Sequence, residues 1–453
     1  MKKALIILAL LLWCLPAVFA AIVTNTNQSI MFIRFPSRNA CTDVDAAYYN
    51  PAGLTKLQDG FHLSIHNQTL YQDRTVNSTF PTLNNPEYLG KTKVPVYPTV
   101  FGVYKKGAFA LSFGFGPNSG GGSADYDTGL PSFEEGISIL PLSLSAGGIP
   151  TDQYSALINF KGSSVFYGFQ ANVSVAFSKV VSAAAGIRYI YAVNEYEGAI
   201  RSIQINPTFP ALGWTGQLRS APDAFNTLYA ATKNPTFQYL AGATADAAVD
   251  ARQVGSGFTP ILSLHLTPIE NLKIGIRYEY NTKVELKNET TKDDVGLYPD
   301  GQKTRSDVPP VLALGADYAI TPQFRASVSY TLFLETQTDW EQREYMLDSD
   351  SYDLGFALEL DVTKAITISG GYIFTHTGAG DKYQLDTSYD LPANTVCAGA
   401  RIRLGSMVDL DLAGIYVAYK DQTQPLASAV VGAYNQTYKQ KTYGFGIGLN
   451  FHL

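Results

Sequence analysis

The chain has 453 residues, of which 16% are charged, with a formal net charge of −6, 39 glycines and 29 tyrosines. So few charges sit well below the quarter usual in soluble proteins, and without a basic stripe there is nothing to neutralise a nucleic-acid backbone. No composition break divides the chain, and no stretch beyond the N-terminus has the roughly 18 apolar residues that a membrane helix needs.

Residues 1–20 read as a cleaved secretory signal peptide: Lys2 and Lys3, an apolar run from Ala4 to Leu15, then Pro16 and the small-residue end Val18-Phe19-Ala20. Cys14 suggests a lipid anchor, but it lies inside the apolar run behind bulky Trp13, so cleavage after Ala20 is expected. Residues 21–59 follow no strand rhythm. They carry Phe32-Ile33-Arg34-Phe35, an acidic Asp43/Asp45 stretch and Tyr49-Asn50-Pro51-Ala52-Gly53-Leu54, and they read as an N-terminal plug ahead of a hollow barrel or as a periplasmic tail.

From residue 60 to 453 the chain breaks into fourteen alternating segments: 60–72, 94–105, 107–116, 165–178, 181–197, 254–266, 271–286, 307–319, 322–336, 350–362, 364–376, 393–405, 407–420 and 440–453. Alternation of period two gives each strand two unlike faces. In the last, Tyr443, Phe445, Ile447, Leu449, Phe451 and Leu453 oppose Gly444, Gly446, Gly448, Asn450 and His452. Short connections alternate with long polar ones, and the strand number is even. This predicts an all-β fold: a 14-stranded antiparallel transmembrane β-barrel in the outer membrane of a Gram-negative bacterium, in contact with lipid and lipopolysaccharide and acting as a monomer.

The two longest outer connections are expected at about 117–164 and 198–253. The first opens Gly116-Pro117-Asn118-Ser119-Gly120-Gly121-Gly122 and reads as turn or loop. In the second, Ala221–Thr232 and Leu240–Ala251 read as one or two short helices.

Apolar faces such as Val165, Tyr167, Phe169, Ala171 and Val173 must look at lipid. Arg188, Lys273, Arg277, Glu279, Asp317, Arg325, Glu359, Asp361, Arg401, Arg403, Asp409 and Asp411 then point into the lumen, to pair with one another or with the plug; Arg188, Arg277, Arg401 and Arg403 are the candidates for ligand contact. Strand three is unusual: outside Phe109, Leu111, Phe113 and Phe115, inside only Ala108, Ala110, Ser112, Gly114 and Gly116, with Pro117 next. Glycines weaken pairing and proline cannot donate, so a bulge or gap in the wall is expected there.

These features together resemble the FadL family of outer-membrane transporters for hydrophobic compounds. The likeness rests on the leader, the plug motif Asn50-Pro51-Ala52, fourteen strands and the Gly/Pro-interrupted third strand. The stretches from Ala171-Asn172-Val173 through Ala192, at Val308-Pro309-Pro310 and at Leu391-Pro392-Ala393 also match the family's strand pattern. The resemblance implies passive uptake of long-chain fatty acids or aromatic hydrocarbons through a lumen pocket and a lateral opening at Gly114, Gly116 and Pro117, with no cofactor and no enzymatic activity. Fatty-acid members place a basic residue near the outer end of strand five; here that end is Asn194-Glu195-Tyr196-Glu197-Gly198, with no cation before Arg201, which speaks against an anionic ligand.

Competing readings are a general porin, which predicts an open, charge-lined lumen, and a receptor or adhesin role for the outer loops. A hydrolase would need a Ser/His pair with an orienting partner, and none is evident around His62, His66, His265, His376 or His452. His62 and His66 share a face but are too few to hold a metal. Cys41 in the plug and Cys397 on the inner face of strand twelve are candidates for a disulfide pinning plug to wall.

Overall fold

A strand in lipid needs partners for its backbone N–H and C=O groups on both edges, and in this chain the demand is met by closing the sheet on itself. The computed structural model describes residues 26–453, so the expected leader lies outside the described residues. Fourteen strands form the wall: β1 (Gly60–Ser78), β2 (Glu87–Lys106), β3 (Phe109–Tyr126), β4 (Tyr154–Ala176), β5 (Val181–Ile205), β6 (Ala247–Ile269), β7 (Leu272–Glu279), β8 (Val311–Thr321), β9 (Phe324–Phe333), β10 (Ser351–Asp361), β11 (Ile366–His376), β12 (Ala393–Arg403), β13 (Val408–Tyr419) and β14 (Gly432–His452). Each pairs antiparallel with its neighbours in the chain, and β14 returns to β1 in the register His62↔His452 to Ser78↔Gln436. No edge remains, as a sheet in lipid requires.

Face assignment follows the alternation. Tyr443, Phe445, Ile447 and Leu449 are exposed, and so are Phe109, Leu111 and Phe113, whereas Ala110, Ser112 and Asn450 are buried. Outside, Phe115, Phe169, Tyr189 and Phe258 form a continuous run of ring contacts across β3 to β6, and Tyr71 stacks on Tyr443. Such a belt suits the interface between hydrocarbon and headgroups.

Several strands run further outward than the sequence predicts. The Gly116–Gly122 run, expected as turn or loop, stays in β3, because bulges at Pro117/Ser119 and Gly120/Gly122 absorb its irregularity while it keeps pairing with β4. The long outer loops therefore shrink to 127–153 and 206–246. The first contains α3 (Pro131–Ser138) and α4 (Leu140–Ala146), which the sequence reading missed. In the second, α5 (Ala221–Thr232) lies where predicted, whereas α6 (Pro235–Ala243) replaces the expected helix over 240–251, whose end belongs to β6. The expected seventh strand, 271–286, stops at Glu279; the chain resumes at Glu285–Asp293 and pairs with the outer part of β6. The two loops share one apolar core in which Ile137, Leu140, Leu144, Trp214, Phe225 and Leu240 are buried together.

The segment ahead of β1 lies inside the barrel. It comprises α1 (Ile30–Arg34), α2 (Ala46–Tyr49) and a 3-10 turn (Pro51–Lys56). The Ser29 hydroxyl caps α1 by accepting the Phe32 N–H at 3.0 Å, and it donates to Asp45 at 2.7 Å, tying the first helix to the second. Arg38, fully buried, holds Asp43 and Asp45.

Candidate functional site

The plug motif meets the wall near its periplasmic end. Asn50 Nδ2 donates to the Cys41 carbonyl and to His265 Nδ1, both at 2.9 Å, and its Oδ1 accepts from Ser263. Ser174 Oγ donates to the Pro51 carbonyl at 2.7 Å, and the Ala52 N–H reaches Ser263 Oγ. Asn50-Pro51-Ala52 thus docks on β4 and β6, with Gly53 packed so closely on Asn50 and Cys41 that a β-carbon there would lie 2.5 Å from each. Elsewhere the wall is recessed to receive the plug. A β-carbon at Gly446 or Gly448 would fall 2.6 or 2.3 Å from Ile30, one at Gly275 or Gly315 would strike the backbone at Asn39 and Ala40, and one at Gly371 would strike Pro36.

The lumen charges pair as the sequence predicts, with one another and with the plug. Arg188 bridges Glu279 through both terminal nitrogens, at 2.6 and 3.0 Å, and Glu279 also faces Arg277 at 3.2 Å. The Tyr48 ring of α2 lies between these two guanidiniums, 4.6 Å from Arg188 and 4.9 Å from Arg277, and Arg277 donates to the Tyr48 carbonyl. Arg401 makes a two-pronged bond to Asp411 and lies 3.5 Å from plug residue Asp43; Arg34 of α1 contacts Asp411 and Glu359; Arg403 reaches Asp361. All four arginines picked out as ligand candidates therefore already hold carboxylates; leaving buried Arg188 or Arg277, or largely buried Arg401, unpaired would be costly, whereas Arg403 is exposed.

The β2–β3 ladder is interrupted. Pairing runs from Lys106↔Phe109 to Val100↔Phe115, then stops, and resumes only at Thr92↔Ala124. Residues 93–99 of β2 and 116–123 of β3 face each other without ladder pairs. Pro95 and Pro98 on one side and Pro117 on the other lack the N–H that a ladder needs. Two side chains hold carbonyls of the bulged strand instead: Tyr97 Oη donates to the Pro117 carbonyl at 2.7 Å, and Gln28 Nε2, from the plug, to the Asn118 carbonyl at 3.3 Å. Gly116 and Pro117, singled out from sequence, lie in the interruption, whereas Gly114 lies in the regular ladder opposite Phe101. The sequence reading missed Pro95, Pro98 and Tyr97, although two prolines in one expected strand were a legible signal. Beside the bulge, Phe166, Ile190, Ala192, Val284, Leu286 and Val308 form a buried apolar cluster, and Phe166 pairs with Ser119 across β3 and β4.

Above the plug lies a cavity of about 190 Å³, bounded by Thr26, Asn27 and Phe32 of the plug and by the inner face from β9 to β13. Its walls mix apolar Phe333, Ile373, Leu391, Ile415 and Val417 with Asp353 and Asp390.

Cys41 and Cys397 are both buried free thiols, so the candidate disulfide is not formed; Cys41 packs in an apolar cluster with Phe32, Val44 and Tyr49. No group of three or more potential ligands could hold a metal among the described residues. His62 contacts His452, and His66 contacts Asn450. At the outer end of β5, Asn194 is bonded to Gln253 and Arg201 is exposed.

No known family model and no curated protein matches the sequence. Solved structures do match in shape. A Pseudomonas aeruginosa FadL homologue superposes with a TM-score of 0.65 at 13% identity, covering 96% of this chain and 99% of its own. The Pseudomonas putida toluene transporter TodX gives 0.60 at 11% identity, covering 96% and 100%. The Ralstonia pickettii toluene transporter TbuX gives 0.53 at 14% identity, covering 90% and 94%. The chain thus has the fold of FadL-type hydrophobic-compound channels, as the sequence resemblance implied.

Proposed function

We propose that this protein lies in the outer membrane of a Gram-negative bacterium and passes small hydrophobic molecules passively from the outer loops through the lumen cavity to the bilayer, leaving sideways between β2 and β3. The observation that carries the reading is the interrupted β2–β3 ladder, whose bulged strand is touched from the lumen by plug residue Gln28. A movement of the plug would free the Asn118 carbonyl and loosen the wall at one place. An apolar solute gains roughly 25 cal/mol per Å² by staying out of water, so a greasy lateral path suits it better than an aqueous pore.

The test is uptake into liposomes with a lipopolysaccharide outer leaflet, which slows apolar solutes as a plain phospholipid bilayer does not, containing the purified protein. Labelled toluene or ethylbenzene should enter faster than into protein-free liposomes, while sugars of similar size should not. Entry of the sugars alone would support the porin reading, which the plug inside the lumen and its ion pairs to the wall disfavour.

A further inference from the structure

The lumen cavity has an asymmetry of charge. The strand carboxylates Glu279, Asp317, Glu359, Asp361 and Asp411 each have an arginine within 3.4 Å. Asp353 and Asp390, which line the cavity, have only hydroxyl partners among their side-chain contacts: Asp353 accepts from Thr375 at 2.6 Å and from Thr26 at 3.1 Å, and Asp390 accepts from Thr377. No lysine or arginine lines the cavity. Arg74 faces Asp390 from β1, but its guanidinium lies over the Tyr389 ring and donates to the Tyr389 carbonyl. His376, at the rim, contacts Ser349 and stacks on Tyr352.

A third acid lies directly behind the lining. Glu335 is fully buried; its Oε2 accepts from the cavity residue Ser351, and its Oε1 has no hydrogen-bond partner. Burial pushes the Glu335 carboxyl up to about 8, and that of Asp390 above its ordinary range. The five strand carboxylates named above each hold an arginine, whereas Asp353 and Glu335 have no cation in contact and Asp390 feels Arg74 without an ion pair to it. A buried acid without a cation either keeps its proton, as Glu335 does at pH 7, or is stabilised by a cation brought beside it.

Resting on the uptake reading above, we propose that the cavity takes a small aromatic or short-chain amine, its apolar body against Phe32, Ile373 and Val417 and its ammonium between Asp353 and Asp390, and that it discriminates against carboxylates. Size agrees: a cavity of about 150 Å³ lined by Leu, Ile and Phe holds benzene, so one of about 190 Å³ accommodates a ring with a short side chain. An ammonium would supply charge-assisted hydrogen bonds to acids that now receive only neutral donors, the threonine hydroxyls and the Leu391 N–H, whereas a carboxylate would add a like charge.

The experiment is calorimetric titration of the full chain in detergent with three matched probes: ethylbenzene, 2-phenylethylamine and phenylacetate. We expect the amine to bind at least about tenfold more tightly than phenylacetate, and D353N and D390N to bring that ratio towards one. Ethylbenzene affinity unchanged in D353N and D390N shows that the cavity is intact, so the lost ratio then reports the carboxylates. I373W, which fills the cavity, should abolish amine binding; amine binding that survives it overturns the assignment. A ratio near one, or one favouring phenylacetate, overturns it as well. If ethylbenzene still enters these liposomes faster than protein-free ones in that case, passive uptake stands and only the ligand class falls; if no hydrophobic probe enters faster than the protein-free background, the uptake reading falls too.

Discussion

A disulfide across the interruption tests whether β2 and β3 must part. A β-carbon at Gly116 would lie 3.4 Å from Thr99 Cβ, and one at Gly122 would lie 3.9 Å from Thr92 Cβ. Disulfides have Cβ separations of about 3.5–4.5 Å, so T99C/G116C and T92C/G122C each place two thiols at bonding distance. The 2.7 Å contact between that Gly116 β-carbon and Thr99 Cγ2 disappears in T99C/G116C, because the methyl is gone and the sulfur turns to its partner. Closing a loop of this length removes about 3 kcal/mol of chain entropy from the unfolded state, so the bond should form without destabilising the barrel. Cys41 and Cys397 are buried and free, so mass spectrometry before and after reduction isolates the new bridge. The assay is uptake of labelled ethylbenzene into liposomes. Oxidised T99C/G116C should fall to the protein-free background, and a reductant should restore the flux. The pair T92C/G122C staples the other end of the same interruption and should behave alike. An oxidised staple, proven by mass, that passes ethylbenzene at the wild-type rate refutes the lateral exit.

Other outcomes follow from buried contacts. E279Q leaves the buried Arg188 and Arg277 guanidiniums without their shared carboxylate; we expect a loss of about 3–5 kcal/mol, read as a lower thermal midpoint, and partial recovery in R188Q/E279Q, where only Arg277 stays unpaired. I30A empties the recess above Gly446 and Gly448 and should cost the plug about 2–5 kcal/mol. Faster hydrogen exchange at residues 30–35, with β14 unchanged, would show that loss, and equal acceleration in both would refute a local effect. In the outer loops, burial raises the Glu135 carboxyl to about 7 and Glu335 to about 8, from ordinary values of 4.5. Because the folded state keeps these protons longer, the stability they contribute is complete below pH 4.5 and is lost as pH rises through 7 and 8. Amide protection factors at residues 131–138 and 335–346, which are corrected for the intrinsic rise of exchange with pH, should therefore fall between pH 5 and 9, and E135Q/E335Q should flatten that fall.

The fourteen strands and their faces were legible because alternation is a local property, and lipid on one side forbids exceptions to it. Loop limits were not. Gly116–Gly122 looks like a turn when read along the chain, but a strand partner such as β4 holds it extended through two bulges, and no neighbour in the sequence announces that partner. The lumen charges were placed correctly, yet their pairing with Arg34, Asp43 and Tyr48 is a matter of which plug residue meets which strand. The cavity was illegible for the same reason: its lining comes from the plug, from five strands and from the connection before β12.

The glycines join these observations. In the sequence the β14 glycines simply oppose the lipid-facing set; in the barrel, Gly446 and Gly448 receive Ile30, Gly275 and Gly315 receive the Asn39–Ala40 backbone, and Gly371 receives Pro36. Glycine in a strand weakens it and leaves nothing to pack, so its repeated use on one face marks where another piece of chain fills the space. The inner glycines of β3 face a different neighbour. Gly116 backs onto Thr99, and Gly120 sits at φ +66°, where an added β-carbon would be 2.1 Å from the Ser164 carbonyl. Those positions serve the bulge, not the plug. The same residue type thus does two jobs in one wall, recessing it where the plug must rest and bending it where the ladder stops. The plug touches both regions: Ile30 lies in the first, and Gln28, two residues earlier, holds the carbonyl of the second. A shift of α1 out of its glycine recess would therefore pull directly on the bond that steadies the bulge, which links plug position to the wall through two residues of separation and no longer-range device.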